Sequence, residues 1–146
     1  MTGKPIVVGV DGSATSNYAA SVALELATAL GRALHIVSVY SESYTQAVRF
    51  GPSKVLVSTE DRSREASNNV ASTFSDASVD VHAVSLTGKP STELLKYADS
   101  VNAETIVVGN RGMRGVSRFL GSVSNDISHR AKMNVFIVNT ESQLNA

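Results

Sequence analysis

The sequence predicts an α/β fold in which helices cover both faces of a parallel sheet. Three short apolar runs rich in β-branched residues are typical of strands buried on both sides: 5–10 (PIVVGV), 105–109 (TIVVG) and 135–139 (VFIVN). Helical patterns separate the strands, and this alternation favours parallel strands joined by helical crossovers. We expect residues 1–146 to form a single domain, since one hydrophobic core usually serves a chain of this length.

The first third of the chain contains two strands and one helix. After the first strand, apolar residues recur at helical spacing as far as Leu30, and Gly31 follows where a C-terminal glycine belongs. A second strand is predicted at 33–40 (ALHIVSVY). Residues 41–53 show no period and include a Gly-Pro pair, so we expect a loop there.

The remainder of the chain continues the alternation. A polar helix is predicted from about 54 to 76, where apolar side chains recur at spacing four. The alternating segment 79–85 (VDVHAVS) predicts a strand at the edge of the sheet. A helix should begin near Pro90, and a short helix from about Ser122 to Lys132 should precede the last strand.

Composition and charge exclude several classes of protein. The hydrophobic fraction of 42% and charged fraction of 18% are ordinary for a soluble globular protein. The absence of cysteine excludes disulfides and thiol catalysis. Thirteen basic and thirteen acidic residues cancel, which gives no support for binding to nucleic acid or a membrane surface. Because no long apolar segment or signal peptide is recognised, we expect a cytoplasmic protein.

Two strand ends are predicted to form the functional site. In open parallel sheets, ligands bind beyond the carboxyl ends of the strands, where the strand order reverses. The first strand ends at Asp11 and the fourth at Gly109. The Asp11 carboxylate is suited either to accept hydrogen bonds from ribose hydroxyls or to cap the following helix, and the sequence leaves both roles open.

A glycine-rich, basic connection follows the fourth strand, in residues 107–125 (VVGNRGMRGVSRFLGSVSN). Its glycines let backbone N–H groups approach a phosphate, and the next helix begins with unpaired N–H groups and a positive dipole end. Ser122 and Ser124 add hydroxyl donors, and three arginines add local positive charge. The alternative is that the glycines turn the chain, the serines cap the helix and the arginines face solvent.

The sequence assigns no catalytic residue and no metal ligand. The segment 87–92 (TGKPST) lacks the upstream glycine of a phosphate-binding loop, and Pro90 stands where a magnesium-binding hydroxyl belongs, so we interpret it as a helix start. His35, His82 and His129 have no metal-ligand spacing. No nucleophile elbow or general base is recognised, so the case for an enzyme is weak.

Three segments together resemble the universal stress protein family across essentially the whole chain. They are VVGVDGS near the start, Gly-Lys-Pro at 88–90, and the segment 107–139. Members of that family that bind ATP carry Gly-x2-Gly-x9-Gly-(Ser/Thr). Gly109 and Gly112 match this pattern, but eight residues instead of nine separate Gly112 from Gly121. The resemblance is therefore to the ATP-binding subgroup, with a glycine loop one residue shorter.

The resemblance implies a Rossmann-like open sheet of five parallel strands in the order 3-2-1-4-5. It implies that Asp11 contacts ribose and that the backbone of Val39 meets adenine. The phosphates, with Val123 lining the same turn, would be held by Gly109, Gly112, Gly121, Ser122 and Ser124. The implied ligand is ATP, or AMP or cyclic AMP, with magnesium held through the phosphates. The implied partner is a second copy, paired through the strand from Val135 to Asn139.

The resemblance therefore implies an adenine-nucleotide-binding module that acts in stress response or signalling. Two alternatives stay open. One is slow ATP hydrolysis or phosphotransfer, although no carboxylate other than Asp11 is an evident metal holder or base. The other is a dimeric interaction protein whose shorter loop no longer binds nucleotide.

Overall fold

The computed structural model describes residues 3–40, 45–50, 53–110 and 121–140. Strands and helices alternate through most of these ranges. In chain order the elements are β1 (Ile6–Gly9), α1 (Ala14–Leu30), β2 (Leu34–Tyr40), β3 (Thr45–Phe50), β4 (Ser53–Ser58), α2 (Thr59–Thr73), β5 (Val81–Thr87), α3 (Pro90–Ser100), β6 (Thr105–Gly109), α4 (Ser122–Arg130) and β7 (Asn134–Val138).

Five of the strands form a parallel sheet in the order β5-β2-β1-β6-β7. Counted over the five strands predicted from the sequence, this order is 3-2-1-4-5, so the predicted fold class is confirmed. The expected edge position of β5 is confirmed as well, and β7 forms the other edge. Strand β1 has β2 on one side and β6 on the other, so the strand order reverses at β1. A crevice opens at this reversal, where β1 and β6 end.

Two hydrophobic cores lie on opposite faces of the sheet. In β1, Ile6 and Val8 pack in the core that includes α1, whereas Val7 packs in the core that includes α3 and α4. All three side chains have an exposed fraction of 0%. Burial on both faces explains why this strand is a continuous apolar run without alternation.

Helix α1 is capped at both ends, by Gly31 as predicted and by Ser13 in place of Asp11, which the sequence had offered as a cap. Ser13 is the N-cap, and its hydroxyl accepts a hydrogen bond from the Ser16 N–H at 3.2 Å. Gly31 takes the left-handed conformation with φ of 66°, which lets the Arg32 N–H reach the Ala27 carbonyl oxygen at 2.9 Å. Helix α1 therefore ends at Leu30, the last residue of its apolar stripe, and Gly31 follows as the cap.

The structure corrects the loop expected at 41–53 over residues 45–50 and 53, which lie in strands, and it corrects the helix expected from 54. The rest of the expected loop, 41–44 and 51–52, lies outside the described residues. Strands β3 and β4 form an antiparallel hairpin that is a separate two-stranded sheet, and α2 begins only at Thr59. The six paired positions run from Thr45 opposite Ser58 to Phe50 opposite Ser53. The helical interpretation overlooked the β-branched run KVLVS, which is typical of a strand.

Smaller differences concern where elements end. Helix α3 begins at Pro90 as predicted, whereas α4 stops at Arg130, two residues before the predicted Lys132. Strand β7 covers Asn134–Val138, one residue earlier than the predicted 135–139. No helix within the described ranges is long and apolar enough to cross a membrane.

Candidate functional site

A cavity of about 380 Å³ lies in the crevice at the carboxyl ends of β1, β2 and β6. Seven of the eight residues predicted for the site line it, and they are Asp11, Val39, Gly109, Gly121, Ser122, Val123 and Ser124. The eighth, Gly112, lies outside the described residues. Residues separated by more than 110 positions in the sequence thus meet at one cavity.

One wall of the cavity is apolar. Val37 comes from the middle of β2 and Val39 from near its end, Val108 from near the end of β6, and Leu94 from the second turn of α3. All four belong to the core on the α3 side of the sheet. This wall therefore offers a flat ring system contact with aliphatic side chains that the fold already holds in place.

The opposite wall is the beginning of α4. Gly121 is the N-cap residue, with φ of −60° and ψ of 156°. Its carbonyl oxygen accepts hydrogen bonds from the Asn125 N–H at 2.9 Å and the Ser124 hydroxyl at 3.0 Å. The first N–H groups of a helix have no partner within the helix, so this end of α4 is suited to an anion.

The two serines of α4 differ in what their hydroxyls do. Ser124 has an exposed fraction of 2%, and its single proton is donated to the Gly121 carbonyl oxygen. Ser122 is exposed and lines the cavity. A hydroxyl can donate only once, so Ser122 is better placed than Ser124 to donate to a ligand.

Asp11 borders the cavity as an exposed side chain. Its Oδ1 accepts hydrogen bonds from the Ser13 N–H at 2.9 Å and from the Ser13 hydroxyl at 2.5 Å. Of the two roles left open by the sequence, helix capping belongs to Ser13, because Ser13 is the N-cap of α1. The Asp11 carboxylate is instead oriented by the cap.

A polar brace holds α3 against α4 beside the cavity. The Ser91 hydroxyl donates to Asp126 Oδ2, which also accepts from Arg130 Nη1 at 2.8 Å. The Ser91 hydrogen bond, aided by Arg130, lowers the pKa of Asp126 against an opposing effect of desolvation. The brace therefore fixes α3, which contributes Leu94 to the apolar wall, relative to the start of α4.

The segment 87–92 forms a helix start, as predicted, and not a phosphate loop. Lys89 occupies the N-cap position of α3, and Pro90 is its first residue. Gly88 has φ of 134°, and a Cβ there would lie 2.7 Å from Glu93 Cγ. This glycine is therefore required by the backbone turn.

A second cavity, of about 430 Å³, lies at the amino ends of β1, β6 and β7. Its lining carries both signs of charge, from Lys4, Asp99, Glu104 and Lys132. It is at the end of the sheet opposite to the one where ligands bind in open parallel sheets. The first cavity is therefore the candidate site.

The comparison with known families agrees with this architecture. The model of the universal stress protein family matches residues 3–139. The chain belongs to the universal stress protein family. Universal stress protein Rv1636 of Mycobacterium tuberculosis is 32% identical over 152 residues, covering 94% of this chain and 97% of the relative.

Solved universal stress proteins share the fold. One, in complex with cAMP, has a TM-score of 0.72 at 28% identity, covering 94% of this chain and 97% of that chain. The protein of Archaeoglobus fulgidus in complex with dAMP has a TM-score of 0.72 at 22% identity, covering 95% of this chain and 100% of that chain. The latter similarity concerns the fold alone.

The sequence prediction missed several residues of this universal stress protein site. Val37, Val108 and Leu94 form the apolar wall together with Val39. Ser16 also lines the cavity, and its hydroxyl oxygen accepts a hydrogen bond from the Asp11 N–H at 3.1 Å. The signal for Val108 was its position near the end of β6, whereas Val37 lies in the middle of β2, and apolar neighbours in both strands carry the same pattern.

Proposed function

We propose that the cavity binds an adenine nucleotide and that the protein is a nucleotide-dependent module of stress response or signalling. The observation that carries this proposal is the meeting of an apolar wall, an acidic side chain and a helix N-terminus in one cavity. These three features match the chemistry of adenine, ribose and phosphate in that order. The solved relative in complex with cAMP, at 28% identity, supports the proposal.

Each part of the nucleotide has a proposed set of contacts. Adenine would lie against the apolar wall near Val39 and pair with backbone groups there. Ribose hydroxyls would donate to the carboxylate of Asp11, which Ser13 orients. The phosphates would lie at the start of α4 and the end of β6, near Gly109, Gly121, Ser122, Val123 and Ser124. The sequence motif adds Gly112, which lies outside the described residues.

The charge around the cavity bears on how many phosphate groups the bound nucleotide carries. Among the described lining residues, Asp11 is the one that carries a charge, and it is negative. Several phosphate charges would therefore need cations from elsewhere, such as Mg²⁺ or the arginines of residues 111–118. We keep ATP with magnesium as the proposed ligand, and AMP and cyclic AMP as the alternatives that a titration separates.

The test is calorimetric titration of nucleotide-stripped protein with ATP, ADP, AMP and cyclic AMP, with GTP for base selectivity, each with and without magnesium. Saturable binding of adenine nucleotides alone is expected. Gly121→Val should abolish binding because a β-branched side chain would enter the cavity at the helix start. Ser128→Val, on an exposed position of the same helix, is the matched control and should bind normally. Absence of binding by the wild-type protein to all four adenine nucleotides, or equal binding of GTP, would overturn the proposal.

We also propose that the protein forms a homodimer through β7. This strand is an edge of the sheet, and Val135 and Ile137 pack inward while Phe136 has an exposed fraction of 43%. Pairing with a second copy of β7 would cover that edge and the phenyl ring.

Sedimentation velocity tests the homodimer. Phe136→Lys should produce monomers, whereas Leu30→Lys should leave the dimer intact. Leu30 is a matched control because it is a similarly exposed large apolar residue, at 47%, on α1. A wild-type protein that sediments as a monomer at tens of micromolar would exclude this interface. A single domain over 1–146 and a cytoplasmic location also stay predictions from the sequence.

A further inference from the structure

Asn110, the residue after β6, joins three segments of the chain by hydrogen bonds. Its N–H donates to the Val138 carbonyl oxygen at 2.9 Å, and its carbonyl oxygen accepts from the Gly121 N–H at 2.9 Å. Its side-chain Oδ1 accepts from both the N–H and the hydroxyl of Thr140, each at 2.9 Å. One residue thus connects the end of β6, the start of α4 and the segment after β7.

The side chain of Asn110 is half-buried, and its hydrogen bonds go to a buried residue. Thr140 has an exposed fraction of 0%, so its two donors would lose a partner in a dry environment if Oδ1 were removed. Such a loss is costly, and the segments would shift to recover the bonds. The side chain of Asn110 therefore controls where its own backbone lies relative to the last strand.

The backbone of Asn110 in turn determines where α4 begins. Gly121 lines the candidate cavity and is the N-cap of α4, and its N–H is bonded to the Asn110 carbonyl oxygen. Asn110 itself is not among the described lining residues. Its influence on the cavity passes through Gly121.

We propose that Asn110 is a positioning residue that holds the phosphate-binding end of α4 in place from behind the site. The reference to phosphate rests on the proposed nucleotide function, whereas the positioning of Gly121 does not. The inference predicts that loss of the Asn110 side chain weakens contacts to phosphate and leaves those to adenosine unchanged.

The decisive variant is Asn110→Ala, which removes Oδ1 and keeps the backbone. Amide hydrogen exchange over residues 121–125 of the ligand-free protein, measured at the hydrogen-bonded amides of Gly121 and Asn125, should become about tenfold faster, because the helix start loses its anchor. The affinity for AMP should fall about tenfold while that for adenosine stays within about twofold. Asn68→Ala, at an exposed position of α2, is the control and should change neither measurement.

A conservative variant separates positioning from general destabilisation. Asn110→Asp retains Oδ1 as an acceptor for both Thr140 donors, so exchange over 121–125 should remain at the wild-type rate. Its added negative charge would disturb phosphate binding, so exchange is the readout for this variant.

Two results would overturn the inference. One is wild-type exchange over 121–125 in Asn110→Ala. The other is an equal loss of affinity for AMP and adenosine, which indicates a general effect on the fold. If the wild-type protein binds no adenine nucleotide, the proposed function fails, and the exchange rates alone decide whether Asn110 positions the helix.

Discussion

Replacing Ser122 with alanine removes a hydroxyl at the start of α4 that is exposed and faces the cavity. A hydrogen bond to a charged group contributes about 1.5–3 kcal/mol, which corresponds to a loss of about 10- to 150-fold in affinity for a nucleotide. Ser124→Ala should cost no more than about threefold, because that hydroxyl already donates to the Gly121 carbonyl oxygen and gains little by exchanging partners.

The assay is isothermal titration calorimetry with AMP and adenosine on Ser122→Ala, Ser124→Ala and Ser128→Ala. Ser128 is the matched control because its hydroxyl donates to a carbonyl three residues earlier, as that of Ser124 does, but at an exposed position outside the cavity lining. The Ser122 loss should be seen with AMP and not with adenosine. A larger effect of Ser124→Ala than of Ser122→Ala would refute the assignment of the donor. Equal losses for AMP and adenosine would refute the placement of phosphate at this helix.

Three further predictions concern stability. Gly31→Ala should lower the free energy of unfolding by about 1–2 kcal/mol, since φ is 66° and the added Cβ would have no atom within 4 Å. Gly88→Ala should lower it more, because the added Cβ would lie 2.7 Å from a side-chain carbon. Equal melting temperatures of the two variants would contradict this order. Desolvation, with the nearby His82, lowers the pKa of His35 from 6.5, so the free energy of unfolding should fall as the pH drops below 6.5 towards the folded pKa. In urea titrations at several pH values, the free energy of unfolding of His35→Gln should change less with pH than that of the wild type. The hydrogen bond from Ser91 lowers the pKa of Asp126 from 3.8, so the ionised carboxylate stabilises the fold above pH 3.8, and this stabilisation is lost as the pH falls through the folded pKa. An acid-unfolding curve of Asp126→Asn identical to that of the wild type would exclude the brace.

The strands of the central sheet were predictable because their environment is uniform. The strands β1 and β6 are covered on both faces, which selects apolar β-branched residues at every position. The order of the strands, unlike their positions in the sequence, cannot be read from a local pattern, because pairing is decided by contacts across the whole chain. It was predicted from the family resemblance and not from any local pattern.

The errors and omissions have a common physical origin in pairing between distant residues. The hairpin of β3 and β4 depends on the match of two strands to one another, whereas the helix predicted from 54 was based on apolar spacing further along, in what is α2. Asn110 and Thr140 meet across 30 positions, and Ser91 and Asp126 across 35. Single polar residues of this kind carry no periodic signal, so coordinates were needed to find them.

The hydrogen bond from the Gly121 N–H to the Asn110 carbonyl oxygen fixes the distance between the two residues that flank 111–120, a stretch that itself lies outside the described residues. The entropy of closing a loop grows only with the logarithm of its length, so going from ten to eleven residues changes the free energy by about 0.1 kcal/mol. A difference of one residue in this stretch therefore changes the entropy of loop closure very little. Because the Asn110 carbonyl oxygen holds the Gly121 N–H, we expect a variant of this chain with one residue inserted between them to keep the starting point of α4.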